Sequence, residues 1–446
     1  MIAAFIHVKN FITKKITGLL SDANLREMAV GSSYVLKIQL LGVVSTYLFF
    51  LIVSRKFGPE AVGIFNIAYT LLFVLVMLAK LGMDNALVVF ITAAIKDALP
   101  AKGASIYYAC MRLVIAVGLA LAVLTYLVAP LLAELFKNDQ LLVPLRIMAC
   151  LLVPFLFSNL TAHALRGFGY IRDFALFQNS NYFLVAIILI LAGQSYIHNN
   201  YLPEYAWAGA VCLGFFISLY LVARRIKGYR SRAFFHISYR KMLTVSMPML
   251  LTSSMFTMLS WTDTLFLGYY CPESDVGIYN VVKKISLLIT ISLFAVNAIA
   301  EKQFARFYVQ HDTEALKRLG LQIAWVNTLC AAPIFLAIAL FPLFFINFFG
   351  PDFSAGKLSL IILCVTQLCS AICGSVLNLL NMAGHERVVS RILTGATLAN
   401  LGLNIWLIPL LGMHGAAISS LVSTLGWGLA GLYYVRKHFK FWMLPC

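Results

Sequence analysis

The chain has little charge. Only 11% of its 446 residues are charged and 61% are apolar, whereas soluble domains contain about 25% charged and 45–50% apolar residues. The first 30 residues lack a short apolar core followed by a small-residue cleavage site, so no signal peptide is expected. These shortages exclude a soluble protein and predict one that lies mostly within a membrane.

Apolar stretches of about 20 residues, the length of a helix that crosses the hydrocarbon core, occur twelve times. A barrel would show segments of about ten alternating residues, but runs such as "LLFVLVMLA" are apolar on both faces. We therefore predict an all-α membrane protein with about twelve transmembrane helices. The predicted spans are 34–53, 61–81, 106–128, 141–161, 174–193, 206–223, 243–267, 276–299, 321–346, 358–381, 392–411 and 415–435.

Acidic residues are half as numerous as basic ones, and the net charge is +17. Of the 34 Lys and Arg residues, 24 lie in the two termini and the even-numbered connections. Basic residues are retained in the cytoplasm, so both termini and the "RRIKGYRSR" connection are predicted to be cytoplasmic. Because this charge follows one membrane face, where it meets anionic lipid headgroups, no nucleic-acid partner is expected.

Two features argue against a metal site and an enzyme. The nine cysteines form no Cys-x-x-Cys pair, and Cys369 and Cys373, four residues apart on one helix, are weak evidence for a metal. The longest odd-numbered connection, "GQSYIHNNYLPEYA", holds only His198 and Glu204, whereas a membrane polymerase or ligase would carry a larger loop with carboxylates or His. No cofactor and no catalytic residue is predicted.

Three motifs recur between 207 and 215 positions apart. "PEAVGIFN" (59–66) matches "PESDVGIYN" (272–280), "LRGFGYIRD" (165–173) matches "LNMAGHERV" (380–388), and "WAGAV" (207–211) matches "HGAAI" (414–418). Repetition in register indicates two six-helix halves, which are parallel because each contains an even number of helices. Such halves commonly enclose a site near the bilayer midplane.

These halves define the predicted domains. Ile2, Phe5 and Ile6 begin an apolar pattern at helical spacing that predicts a surface-lying amphipathic helix. The boundaries are 1–29 for this cytoplasmic segment, 30–225 for the N-terminal lobe with helices 1–6, 226–242 for the basic cytoplasmic linker, 243–437 for the C-terminal lobe with helices 7–12, and 438–446 for the cytoplasmic tail.

Charged residues inside the spans are the candidate site residues, because each is costly there unless it faces water or a partner. Lys283 and Lys284 lie about ten residues past Pro272, or about 15 Å along a helix, near the middle of the bilayer. Asp263 lies at a similar depth on the preceding helix. Two interpretations stay open: the lysines line a wet cavity, or one of them closes a structural ion pair with Asp263.

The remaining charges lie nearer the membrane surfaces. Lys37 and Lys80 fall at the cytoplasmic edge, where snorkelling explains them, and Asp84 is one turn beyond Lys80 and can pair with it. Arg112 and Arg146 are further candidates for contact with phosphate or with headgroups. Asp263, Asp84 and Glu301 are the acids available for coupling to an ion.

The motifs together resemble a known family. The "RKFGPEAVGIF" corner after the first helix, Asp263 in the seventh helix followed by "VGIYN", and the "GYIR" and "GHER" corners are similar to those of the polysaccharide transport flippases. This family belongs to the multidrug/oligosaccharidyl-lipid/polysaccharide exporter (MOP) superfamily. Thr264 departs from the pattern, because many relatives carry a basic residue there. The likeness covers about residues 28 to 437.

The resemblance implies a two-lobed transporter with a cationic cavity. Its expected substrate is an undecaprenyl-diphosphate-linked oligosaccharide, such as an O-antigen or capsule repeat unit, moved across the bacterial inner membrane by alternating access. Expected partners are membrane lipids and the polysaccharide polymerase and chain-length machinery. The excess of basic over acidic residues in the spans suits an anionic diphosphate. A cation-coupled multidrug exporter of the same superfamily is the alternative.

Overall fold

A computed structural model describes residues 23–177, 181–193, 201–229 and 238–443. The predicted amphipathic segment lies almost wholly outside this part of the chain, as do residues 230–237 of the predicted linker and 444–446 of the tail. The described residues form α-helices joined by short turns and single helical turns of other types.

The helices follow the predicted spans. They are α1 (Ala23–Lys80), α2 (Met83–Lys96), α3 (Pro100–Leu135), α4 (Leu142–Gly167), α5 (Ile171–Leu176), α6 (Tyr182–Gly193), α7 (Leu202–Leu221), α8 (Tyr239–Tyr270), α9 (Glu273–Leu287), α10 (Ile291–Val309), α11 (Thr313–Leu340), α12 (Pro342–Asn347), α13 (Lys357–Met382), α14 (Glu386–Leu411) and α15 (Met413–Phe439). Within the described residues, eight stretches are each long and apolar enough to cross a membrane, and Lys37–Lys80 has the length of two crossings.

Helix α1 comprises two spans joined at a sharp corner. Gly58 has φ of +78°, a left-handed value that favours glycine, and Pro59 then starts the second arm at a position where a missing N–H costs nothing. The corresponding corner at Cys271–Pro272 separates α8 from α9. We call the two parts of α1 the first arm, up to Gly58, and the second arm, from Pro59.

The helix order repeats, so the prediction of twelve spans in two six-helix lobes is confirmed. The two arms of α1 correspond to α8 and α9, α3 to α11, α4 to α13, α5 with α6 to α14, and α7 to α15. The lobes differ in their second span: the second arm of α1 is continuous to Lys80, whereas α9 gives way to a 3-10 turn at Leu288–Thr290 before α10.

One boundary differs in a way that matters below. The predicted sixth span starts at residue 206, but α7 starts at Leu202, with Pro203 in its first turn. Proline is well suited to this position because its missing N–H would be unpaired there anyway. Glu204, placed by the sequence in a connection, is therefore a buried helical residue.

The lobes share a core on one side of the molecule. We call the side with the Pro59 and Pro272 corners the corner face, and the opposite side, with the connection that contains Gly228, the basic face. One buried apolar cluster runs from the N-terminal lobe into the corner-face half of the C-terminal lobe, for example from Phe65 to Phe353. A second cluster, around Phe304, belongs to the C-terminal lobe alone. The lobes are thus joined at the corner face.

Candidate functional site

The repeated corners pack against each other. A Cβ atom on Gly63 would lie 1.9 Å from the carbonyl oxygen of Glu273, and one on Gly277 would lie 1.9 Å from the carbonyl oxygen of Pro59. No side chain fits at either distance, so each glycine allows the backbone of the other lobe to approach. Arg55 adds a hydrogen bond from its Nε to the carbonyl oxygen of Phe348, at 2.7 Å. The two copies of the motif form one reciprocal contact that closes the corner face.

The two seams between the lobes differ toward the basic face. Helix α2 packs on α8, and a Cβ atom on Gly82, just before α2, would lie 2.2 Å from the carbonyl oxygen of Ser246. On the other seam, α9 packs extensively on α1, but among the described residues α10 makes no comparable packing with α1. The second seam is therefore closed at the corner face and separated toward the basic face.

Asp263 is the centre of a polar network inside the C-terminal lobe. It is fully buried, and its Oδ2 accepts hydrogen bonds from Tyr279 at 2.8 Å, from Ser420 at 2.7 Å and from the ammonium of Lys283 at 3.2 Å. Its Oδ1 accepts one from Asn404 at 3.0 Å. A buried charge is tolerated when it is paired and hydrogen-bonded in this way. The ion pair that the sequence left open for Asp263 therefore forms, and its partner is Lys283.

Lys284 points to the other lobe. Its Nζ lies 3.7 Å from the centre of the Phe50 ring, and its backbone carbonyl accepts a hydrogen bond from the hydroxyl of Tyr47 at 2.7 Å. Both partners belong to the first arm of α1. Lys284 has no carboxylate within ion-pair distance in the part of the chain that the structure describes. The two neighbouring lysines thus have different roles: Lys283 is bound within its own lobe and Lys284 contacts the opposite lobe across the seam.

The structure places the other predicted basic residues away from these lysines. Lys80 pairs with Asp84 at 3.7 Å in the N-terminal lobe. Lys37 and Arg112 are exposed, and Arg112 is on α3, which does not pack against α9. The guanidinium of Arg146 lies over the ring of Tyr126, 5.2 Å from its centre. Of the six predicted basic residues, only Lys283 and Lys284 lie together.

The predicted acids are also separated. Glu301 is half-buried on α10, and Asp84 remains with Lys80. Thr264, the position that departs from the family pattern, is buried beside Asp263 and donates a hydrogen bond to Oδ1 of Asn280 at 3.3 Å. A basic side chain at this position would enter an enclosed polar contact.

Sequence reasoning missed the aromatic partners and one acid. Phe50 was not singled out because a phenylalanine in an apolar span carries no signal of its own. Trp261, from α8, stacks on Phe73 of the N-terminal lobe with ring centres 5.5 Å apart and planes at 19°. The predicted spans leave Glu204 in a connection, whereas the structure places it in the first turn of α7. Pro203, one residue before Glu204, was the available signal for an earlier helix start, because proline is favoured in the first turn of a helix.

The fold and the seam together have the architecture of a two-lobed membrane transporter. The family model described as "Polysaccharide biosynthesis protein" matches residues 29–300, more than half of the chain. The chain therefore belongs to the polysaccharide biosynthesis protein family. A second model, MatE, matches residues 248–406.

Two individual proteins are similar to this chain. An uncharacterized membrane protein of Methanocaldococcus jannaschii is 23% identical over 94% of this chain and 84% of its own length. A probable flippase, AglR, of Haloferax volcanii is 32% identical over 37% of this chain and 36% of its own length.

Solved structures share the fold. An inward-facing multidrug resistance transporter of the MATE family in the MOP superfamily superposes with a TM-score of 0.73 at 15% identity, over 91% of this chain and 98% of its own. The lipid II flippase MurJ, in an inward closed conformation, gives a TM-score of 0.69 at 16% identity, over 92% of this chain and 87% of its own.

Proposed function

We propose that this protein is a flippase that moves undecaprenyl-diphosphate-linked oligosaccharide repeat units, such as those of O-antigen or capsule, across the inner membrane of a bacterium. Family membership supports a role in polysaccharide biosynthesis, and one relative is named a probable flippase. Polysaccharide polymerase and chain-length proteins would then act on the delivered repeat units.

The observation that carries the proposal is the position of Lys284. It is a half-buried ammonium on the seam, and no acid in the described chain neutralises it. A diphosphate offers several anionic oxygens that form charge-assisted hydrogen bonds with such a group. The ring of Phe50 holds the cation through its π face, a weaker partner than an anion, so the ammonium is available when cargo arrives.

The closed corner and the separated inner seam suggest the stage of the cycle. With the corner face outside, as the distribution of basic residues predicts, the opening between the first arm of α1 and α10 faces the cytoplasmic leaflet. Cargo would enter there and reach Lys284. Separation of the Gly63 and Gly277 contacts would then release the cargo on the outer side.

A cell that lacks its own flippase for a surface polysaccharide tests the function. We expect the wild-type chain to restore the polysaccharide. Lys284→Gln should remain abundant in the membrane but lose export, because the amide keeps hydrogen bonding and loses the charge, whereas Lys284→Arg should retain most of it. Full export by Lys284→Gln at normal abundance would remove this lysine from the site.

A multidrug exporter remains the competing function, since the MatE model matches much of the second lobe. A cationic drug would need an available carboxylate, but both oxygens of Asp263 already accept hydrogen bonds. We therefore expect no resistance to cationic dyes. Dye resistance that depends on Asp263, without rescue of the polysaccharide, would favour the exporter.

The proposed orientation has its own test. Gly228 lies on the basic face and exposed Asp352 on the corner face. In a chain without other cysteines, Asp352→Cys should react with an impermeant thiol reagent in intact cells and Gly228→Cys should not. The reverse pattern would place the termini outside the cytoplasm.

A further inference from the structure

Glu204 is a buried acid that the transport site does not use. Its side chain is 1% exposed, in the first turn of α7. Within the described residues, its Oε2 has no hydrogen-bond partner. The backbone N–H of Glu204 gives the carboxylate one hydrogen bond. An ionised carboxylate with an unpaired oxygen is costly to bury, whereas the neutral acid is far less so.

The acid borders a small cavity just beneath the N-terminal corner. The cavity has a volume of about 30 Å³, enough for one water molecule. Besides Glu204, its lining residues are Phe57, Glu60, Ala61, Ile64, Gln140 and Tyr201. Glu60 and Gln140 are exposed, so the cavity connects Glu204 with the surface of the corner face.

Among the residues that the structure describes, the lining of this cavity includes no basic side chain. The titratable groups that face it are Glu60, from the second arm of α1, and Tyr201, at the start of α7. Of the helices packed on α7, α6 contains no charged residue, and Arg146 of α4 lies over Tyr126 instead. The described residues also contain no cluster of three ligands that would hold a metal ion.

We propose that Glu204 is a proton-binding site whose occupancy is linked to closure of the corner face. The wall between Glu204 and the C-terminal lobe is the turn at Pro59–Gly63. One side of this turn lines the cavity, and its other side meets Glu273 and Gly277. While the lobes are in contact, the far side of this turn is dry and Glu204 is 1% exposed, so the acid holds its proton. When the C-terminal lobe leaves, the turn is wetted on both sides, and the acid can ionise.

The direction of the pH dependence follows from the difference in burial of Glu204 between the two states. The acid has a higher proton affinity in the closed state than in the wetted open state, so protonation stabilises closure. This stabilisation is present at acidic pH. It is lost as the pH becomes high enough to remove the proton from the closed state. Protons entering from the corner face would thereby drive closure. The inference needs no assumption about the cargo.

Infrared spectroscopy of the purified protein tests the protonation directly. The wild type should show the carbonyl stretch of a protonated carboxylic acid, which fades on titration from about pH 5 to about pH 10, the range in which buried carboxyls lose their protons. Glu204→Gln should remove this band. Glu60→Gln, the matched change at the exposed acid of the same cavity, should retain it. A spectrum that Glu204→Gln leaves unchanged would refute the proposal.

Spin labels test the link to closure. Exposed Glu134 and Asp352 lie at the corner-face ends of the two lobes, so cysteine labels at these positions report the opening in a chain without other cysteines. We expect the ratio of open to closed molecules to rise at least about tenfold between the same acidic and alkaline conditions, since one unit of difference in pKa is a factor of ten. Glu204→Gln should stay closed throughout.

Other outcomes of these two experiments would also test the proposal. A ratio that changes with pH to the same extent in Glu204→Gln would overturn the link, even if the infrared band disappears. A ratio controlled by sodium rather than by pH would assign the site to a monovalent cation and overturn the proton. If Glu204→Gln does not accumulate, Glu204→Asp keeps an acid at the site, and a band that titrates at a shifted pH would support the proposal. An unshifted band would refute it.

Discussion

The two lobes are alike at the corner face and unlike one to two turns below it. At the corner, Gly63 and Gly277 make equivalent contacts, and Asn66 and Asn280 each donate a hydrogen bond to the carbonyl four residues earlier, at 2.7 and 2.9 Å. Deeper in the membrane the chemistry differs. Counting from the two corner prolines, Phe50 occupies the position that corresponds to Asp263.

The correspondence extends to the partners when the motifs are aligned on Gly63 and Gly277, since the second copy has one extra residue after its proline. Phe65 and Tyr69 then stand where Tyr279 and Lys283 stand in the second lobe. In the first lobe the Phe50 and Phe65 rings pack edge to face with centres 5.9 Å apart, and in the second lobe hydrogen bonds and an ion pair connect the equivalent residues. One lobe therefore presents a ring to the seam, and the other presents a lysine that binds this ring. The difference teaches that the lysine on the seam resides in one lobe, while the other provides its aromatic partner.

The largest effects should come from the corner glycines, where the lobes are alike. Gly63→Ala and Gly277→Ala each place a Cβ atom at 1.9 Å from a carbonyl oxygen, so we expect both to prevent closure and to reduce export to the level of an empty vector. Spin labels at positions 134 and 352 would show the open distance in both. Gly426→Ala, in open space on α15, is the control and should retain export. A closed distance in either corner variant would contradict the steric account.

The next largest effect is expected at the ion pair of the second lobe. Lys283→Gln leaves the Asp263 carboxylate buried without its cation, and breaking such a pair typically costs about 3–5 kcal/mol. We expect a lower melting temperature and lower membrane abundance, both restored by adding Asp263→Asn. Tyr69→Phe, at the equivalent position of the first lobe, should cost about 1 kcal/mol or less. Equal losses at the two positions would show that the lobes are energetically alike.

A smaller effect is expected where the two lobes meet through Phe50. Replacing Phe50 by Leu removes the π face under Lys284, a contact of about 0.5–2 kcal/mol. The closed population should fall by a few-fold and export should weaken without being lost. Phe183→Leu removes a neighbouring ring of the same cluster, 5.8 Å from Phe50, and should leave the closed population nearly unchanged. Similar shifts in both variants would attribute the effect to packing rather than to the cation.

The smallest effects are expected for the arginines away from the seam. Arg112→Gln changes an exposed residue, and such changes usually stay within about 0.5 kcal/mol. Export in the rescued strain should equal that of the wild type. A loss comparable to that of Lys284→Gln, at equal abundance, would extend the site into the first lobe and remove the contrast between the lobes.

Hydropathy and repetition predicted most of the fold, because a bilayer requires long apolar helices and a duplicated chain repeats its motifs. The depth of Lys283, Lys284 and Asp263 also followed from simple counting. Their partners did not, since a ring such as Phe50 has no signature in an apolar span. Glu204 was missed because a shift of four residues in the start of α7 separates a loop acid from a buried one.

The reciprocal contact of the corners has a consequence for the history of the chain. Each copy of the motif is the surface on which the other copy docks, so a mutation that gives one glycine a side chain harms both halves at once. The interiors of the halves are not tied to each other in this way, and one contains rings where the other contains charges. The two corners, in contrast, depend on each other's glycines. For this reason the same short motif is present in both halves.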